Sequence, residues 1–147
     1  MRVKRVNRYY CEFCGKGGCA AGHMKKHESR CTLNPNRICG MCRYRDIPGG
    51  DLEKAKALLP NPDDFKHEGG DDFGDWVTYA SSPLAAAIHE VLPQVREILE
   101  DCPTCIFAAL RQRGLAPFVA ATDFDYKKAT REELDQIRED GARDGYY

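Results

Sequence analysis

The sequence predicts a small, α-rich α+β protein whose modest core is completed by metal. Three observations carry that prediction. Six of the eight cysteines fall in three Cys-x-x-Cys pairs: Cys11/Cys14, Cys39/Cys42 and Cys102/Cys105. A chain of 147 residues with 31% charged side chains can bury only a limited apolar core, and metal staples are a common remedy. Apolar residues recur at helical spacing in the second half, whereas strand signals are short and few.

The elements follow in order. Arg2, Lys4, Arg5 and Arg8 form a basic arm running through Tyr9 and Tyr10 into a short strand, and Cys11 to Gly18 reads as a metal-binding hairpin. Residues 20–31 read as a helix carrying Met24, His27 and Cys31, ended by Asn34-Pro35-Asn36. Cys39-Gly40-Met41-Cys42 reads as a second knuckle with glycine at the turn, and Pro48-Gly49-Gly50 as a linker. Asp51 is placed to cap a helix through Leu59, whose apolar face is Leu52, Ala55, Leu58 and Leu59. With two prolines, three glycines and six acidic residues, 60–79 reads as an exposed acidic loop tacked down by Phe65, Phe73, Trp76 and Tyr79. Ser82-Pro83 reads as the start of a long helix with the stripe Leu84, Ile88, Val91, Val95, Ile98 and Leu99, kinked or split at Pro93. Cys102-Pro103-Thr104-Cys105 opens another helix that stops at Gly114. Phe118 to Ala121 is a weak strand candidate, and Thr130 with Glu133 forms a capping box for a last helix ending near Gly141. The domain reading is 1–36 for the arm and first metal unit, and 37–147 for a helical domain.

The spacing around the first pair is C-x2-C-x12-H-x3-C, through Cys11, Cys14, His27 and Cys31. A two-residue gap lets a turn aim both sulfurs at one point, and the i, i+4 gap puts His27 and Cys31 on one helix face, the arrangement one tetrahedral zinc ion needs. His23 is an alternative ligand, also i, i+4 from His27, but using it leaves Cys31 idle. Cys19 has no partner in this scheme. Cys39, Cys42, Cys102 and Cys105 then suffice for a second zinc, giving two Zn2+ per chain. The helix dipole at Cys102 favours thiolate there. His67 or His89 could replace one of these cysteines.

With Tyr9 two residues before Cys11 and Met24 three before His27, residues 9–31 resemble a C2H2/C2HC-type zinc finger. That resemblance implies a ββα-like unit, with Ala20, His23 and Lys26 at the positions that would face base edges. Gly18 departs from it, standing where the family places an aromatic core residue, so the finger core would rest on Tyr9, Met24 and Phe13. Cys39/Cys42 with Cys102/Cys105 resembles a treble-clef-like site of four cysteines that closes the helical domain. The layout R-C-T-x-N-P-N-R-x-C-G-M-C followed by C-P-T-C-I is similar to small zinc-finger proteins of bacteriophages, which implies zinc binding and a bacterial or viral setting but no activity.

Charge divides the chain. Residues 1–45 carry eleven lysines and arginines against Glu12 and Glu28, a net +9; residues 46–147 carry eleven against 21 acidic residues, a net −10. A basic first unit suits nucleic acid or an acidic protein surface, with Arg5, Arg8, Lys25, Lys26 and Arg30 as phosphate contacts. No leader or membrane-length apolar run is present in the sequence, so a reducing, cytoplasmic setting, virion association included, is expected, with metal favoured over a secreted disulfide framework.

Enzyme signatures are lacking. His89-Glu90 is not followed by a second histidine at the H-E-x-x-H position, no His-x-Glu precedes the Cys102 pair, and no phosphate-binding glycine loop or serine nucleophile elbow occurs. The expected function is a non-enzymatic zinc-binding adaptor, without small-molecule substrate or membrane attachment. A protein–protein or virion structural role is the alternative. Thiol–disulfide chemistry at Cys102/Cys105 is a third reading, against which no βαβ pattern surrounds the pair.

Overall fold

A computed structural model of the chain describes residues 1, 5–121 and 125–143. Arg2 and Lys4 of the basic arm lie outside them. The described residues hold six helices and two small antiparallel sheets.

The first sheet pairs β1 (Tyr9–Tyr10) with β2 (Gly17–Gly18), Tyr9 opposite Gly18 and Tyr10 opposite Gly17. Gly15, at φ +70°, supplies the left-handed residue of the intervening turn. The chain then enters α1 (Ala21–Arg30). Met24 is its one buried side chain. Tyr9 and Phe13 are exposed rather than core, so the packing partners of Met24 are Cys11 and Cys31, with Cys14 and Leu33 beside them. Gly18 is explained by the same packing: a β-carbon there would lie 3.2 Å from the Met24 terminal methyl, which occupies the space an aromatic would fill.

Residues 31–38 fold back along the end of α1. Ile38 N–H donates to the Ser29 carbonyl (2.7 Å), and the Asn34 side-chain amide donates to the Glu28 carbonyl (2.8 Å). This return delivers the chain to α2 (Gly40–Tyr44), where a knuckle turn was expected. The reason is local: the Cys39 sulfur accepts from the Cys42 N–H (3.5 Å), as a helix-capping residue does, so Gly40 continues a helix. A cap at Asp51, accepting from the Lys54 N–H, starts α3 (Leu52–Leu58) as predicted; Ala55 and Leu59 are buried, and Leu58 is exposed.

Residues 60–79 are exposed, but they are not a loop. A 3-10 turn (Pro62–Phe65) leads into a hairpin of β3 (Lys66–Asp71) and β4 (Gly74–Tyr79). Both faces are largely solvated, so the alternation that marks a half-buried strand is missing from the sequence. Gly69 pairs with Trp76 and lies so close to the indole that a β-carbon would meet it at 2.4 Å. Of the four aromatics expected to hold this segment, Phe65 packs on the core and Tyr79 meets Phe118 edge-on (5.4 Å). Phe73 is fully exposed and Trp76 is exposed.

The core is built on α4 (Ser81–Ile98) and α5 (Pro103–Gln112). The buried stripe of α4 is Leu84, Ile88, Leu92 and Val95, continued by Leu99, with Val91 and Ile98 only half-buried. Pro93 neither splits nor ends this helix: it and His89, one turn earlier, are both exposed. Ser82 is not the cap, since the helix already begins at Ser81 with Ala80 preceding it. Two consecutive left-handed residues, Glu100 (φ 51°) and Asp101 (φ 56°), turn the chain into α5, whose Ile106, Ala109 and Leu110 complete the core. Gly114 ends α5 at φ +78°, as predicted.

Residues 116–121 form a 3-10 turn instead of a strand, packed on α4 and α5. The last helix, α6 (Tyr126–Arg143), starts earlier and runs further than expected. Asp125 caps it by accepting from the Lys128 N–H (3.0 Å), which leaves Thr130 inside the helix and Glu133 paired with Arg45 (3.1 Å). Tyr126 stacks on Phe107 with ring centroids 4.1 Å apart. No helix among the described residues is long and apolar enough to cross a membrane.

Candidate metal centres

The structure gathers all eight predicted ligands into two clusters of four. In each, the ligating atoms lie within 4.8 Å of one another. A tetrahedral zinc ion with about 2.3 Å bonds to sulfur sets sulfur–sulfur edges near about 3.8 Å, so both clusters have metal-binding dimensions and fit structural zinc sites.

In the first, the β1–β2 turn presents Cys11 and Cys14, and α1 presents His27 from its last turn. Cys31 lies one residue past the helix, as its cap. Cys14 Sγ is 3.1 Å from His27 Nε2, so Nε2 is the ring nitrogen that faces the cluster. The Glu12 N–H donates to Glu28 (3.0 Å) and ties hairpin to helix beside the cluster. Burial pushes the Cys14 thiol up, but the contacts with His27, the Lys16 backbone, Cys11 and Cys31 together outweigh it and bring the group down to about 6; burial holds Cys31 up. His23 is exposed and outside the cluster, and so is Cys19.

The second cluster joins Cys39/Cys42 to Cys102/Cys105 across 63 residues of chain: Cys39 Sγ is 3.7 Å from Cys102 Sγ, and Cys42 Sγ is 3.5 Å from Cys105 Sγ. The two pairs are presented alike. Cys39 and Cys102 stand at the positions just before α2 and α5, Cys39 alone accepting a side-chain capping bond, so each pair offers one sulfur from the helix boundary and one from the first helical turn. The backbone dipoles of both helix starts favour thiolate there. The contact with Cys102 holds Cys39 far down, and the contact with Cys105 brings Cys102 down to about 7, while the contact with Cys102 pushes Cys42 and Cys105 up. Neither His67 nor His89 belongs to this cluster.

One neighbour of the second centre was not anticipated. Arg37 Nη1 points at Cys105 Sγ (3.6 Å), and its Nε is buried without a hydrogen-bond partner. It also lines, with Arg43 and three of the four cysteines, an open groove of about 620 Å³. The sequence signal was present in the basic residues flanking the Cys39 pair, Arg37 on one side and Arg43-Tyr44-Arg45 on the other.

Around the first centre, Arg5, Arg8, Lys25, Lys26 and Arg30 are all exposed, and Arg8 lies 6.0 Å from the Tyr10 ring. None of the five has an acidic partner among the described residues. The ion pairs seen, such as Arg45–Glu133, Lys56–Glu53, Lys66–Glu68, Arg96–Asp101 and Arg138–Asp135, all lie from Arg45 onward.

Comparison with known proteins gives a local likeness. No family model matches the sequence, and no solved structure does. A segment of 36 residues, 24% of this chain, is 53% identical to the defective intron-associated endonuclease 3 of Enterobacteria phage T4. A segment of the same length and identity is shared with intron-associated endonuclease 3 of Enterobacteria phage RB3. The shared segment spans 37% of the first relative and 13% of the second.

Proposed function

We propose that this protein is a non-enzymatic adaptor with two structural zinc ions, whose basic N-terminal unit docks on nucleic acid chiefly through phosphates. Zinc is the metal that three thiolates with an imidazole, or four thiolates, suit in a tetrahedron. Each ion would have four protein ligands and no open position for substrate, which favours a scaffold over a hydrolase. Disulfide catalysis is disfavoured because Cys102 is fully buried and converges with three other sulfurs.

The carrying observation is the unpaired charge. Arg5, Arg8, Lys25, Lys26 and Arg30 face solvent without acidic partners among the described residues, while the ion pairs seen among those residues all lie from Arg45 onward. A polyanion gains most from such a surface, because neutralising phosphates releases condensed counterions. The likeness to proteins named as endonucleases, which act on nucleic acid, agrees with that surface; cleavage does not follow from a shared quarter of the chain.

The test is a salt titration of binding to a labelled 20-base-pair duplex and to a 20-nucleotide single strand. Zinc-loaded protein should lose affinity steeply between 50 and 200 mM salt. Replacing Lys25, Lys26 and Arg30 with alanine should flatten the slope by roughly two to three units. Absence of binding to either probe at 50 mM salt refutes the proposal. A protein-docking role would then take precedence, favoured by the solvent-facing Phe73 and Trp76 on the β3–β4 hairpin.

A further inference from the structure

We infer that the groove between α1 and α2 holds an unpaired nucleotide, with Tyr44 stacking on the base and Arg30 and Arg43 contacting the flanking phosphates. This rests on the nucleic-acid reading above and narrows it to single strands.

The groove encloses about 300 Å³, on the scale of one nucleotide, and its lining is Arg30, Gly40, Arg43 and Tyr44. No acidic residue is among them. Arg30 and Arg43 are exposed and make no ion pair among the described residues, so the groove presents two uncompensated cations. Tyr44 is 72% exposed and its ring stacks on no other aromatic among the described residues. The space over Gly40 is open, with nothing within 4 Å of where a β-carbon would stand.

The groove is also built in advance. The Ile38 N–H to Ser29 carbonyl bond ties the segment leading into α2 to the last turn of α1, and the metal clusters anchor both helices, one through His27 and Cys31, the other through Cys39 and Cys42. Two cations around an exposed aromatic is the chemistry of single-strand binding: every base has a face to stack, and the backbone beside it is anionic. A duplex offers Arg30 and Arg43 its phosphates but no base face to Tyr44, because its bases are already stacked.

The experiment measures affinity of full-length, zinc-loaded protein for labelled dT20, rU20 and a 20-base-pair duplex. The variants are Tyr44→Ala, Tyr44→Phe and Arg30→Ala/Arg43→Ala, each first shown to keep the wild-type metal content and helical spectrum. Tyr44→Ala should weaken single-strand binding at least about fivefold and leave duplex binding within about twofold. Tyr44→Phe should stay within about twofold of wild type on all probes, because it keeps the stacking face. The double arginine variant should lower the single-strand salt slope by about 1.4. A preference between dT20 and rU20 that vanishes in Tyr44→Ala assigns the groove to DNA or to RNA; equal losses on both support it for either. Unchanged single-strand affinity in Tyr44→Ala overturns the inference and leaves the basic surface standing, and so does an equal loss on duplex. No wild-type binding to any probe refutes the functional reading, and the inference with it.

Discussion

Replacing Cys11 with serine should unfold the first metal unit and leave the helical half folded, with the boundary falling between residues 31 and 32. The magnitude comes from what holds each side. Within residues 5–31 the only buried side chain other than the ligands is Met24, and burying one such side chain contributes about 1.5–3 kcal/mol. The two strands are two residues each, and α1 has ten residues, fewer than the about 12–15 at which isolated helices become even marginal. Zinc binding in small finger units contributes about 10–16 kcal/mol. Metal therefore outweighs packing several-fold here, and losing one of three thiolates should remove most of the order. Residues from Thr32 onward are held differently. Gln112 donates from its side-chain amide to the Thr32 and Asn34 carbonyls (2.9 and 3.0 Å), and Arg111 donates to the Thr32 hydroxyl (2.8 Å). The assay is amide hydrogen exchange read by residue, with metal content measured on the same sample. The expected result is one zinc per chain, lost protection through α1, and retained protection in α4 and α5. Retained protection of α1 would refute the dominance of metal over packing. Collapse of α4 and α5 would refute the boundary.

Two further predictions follow from contacts outside the ligand sets. Gly50→Ala should destabilise the helical half by about 3 kcal/mol, read as a lowered denaturation midpoint, because its β-carbon would fall 1.9 Å from the Ile98 carbonyl oxygen and 2.6 Å from Leu99 Cα, backbone atoms that cannot step aside. A shift under about 1 kcal/mol would show that Gly50 is not packed against the end of α4. Arg37→Met should speed zinc loss from the second centre to a chelator while leaving the first centre unchanged, since the charge 3.6 Å from Cys105 Sγ offsets the excess negative charge of four thiolates around one dication. Unaltered release from the second centre would assign Arg37 a packing role only.

Both Cys/His clusters were legible in the sequence because metal geometry within each pair is a short-range constraint written directly into residue spacing. Cys11, Cys14, His27 and Cys31 needed no knowledge of the fold, and the second four followed by exhausting the remaining pairs. What was not legible depended on partners remote in sequence or on competing local signals. The β3–β4 hairpin looked like a loop because neither face packs on the core, so glycines and acids fill positions where apolar alternation would mark a strand. The last helix is capped at Asp125 instead of at Thr130, and the earlier start places Tyr126 where it stacks on Phe107, a partner remote in sequence. At Pro93 the rule that proline breaks helices met an exposed position, and burial of Leu92 and Val95 on the opposite side held the helix together.

Asn34 shows the same limit with a functional consequence. In the sequence it is part of a helix-breaking Asn-Pro-Asn turn; in the fold it is the buried hub between the two metal units. Its side-chain amide donates to the Glu28 carbonyl in α1, its side-chain oxygen accepts from the Asn36 N–H, and its own carbonyl accepts from Gln112 in α5. Nearly every polar group it has is used, and the three bonds reach both halves of the molecule. The first unit is therefore docked on the helical half as well as joined to it, and Arg30 is held at a set distance from Arg43 and Tyr44. A groove assembled from two helices on different metal centres can bind selectively only if the helices keep their spacing, because ordering them on contact would consume the affinity that stacking supplies. The two Cys-rich clusters draw each unit together; the Asn34 hub makes the two units present one surface.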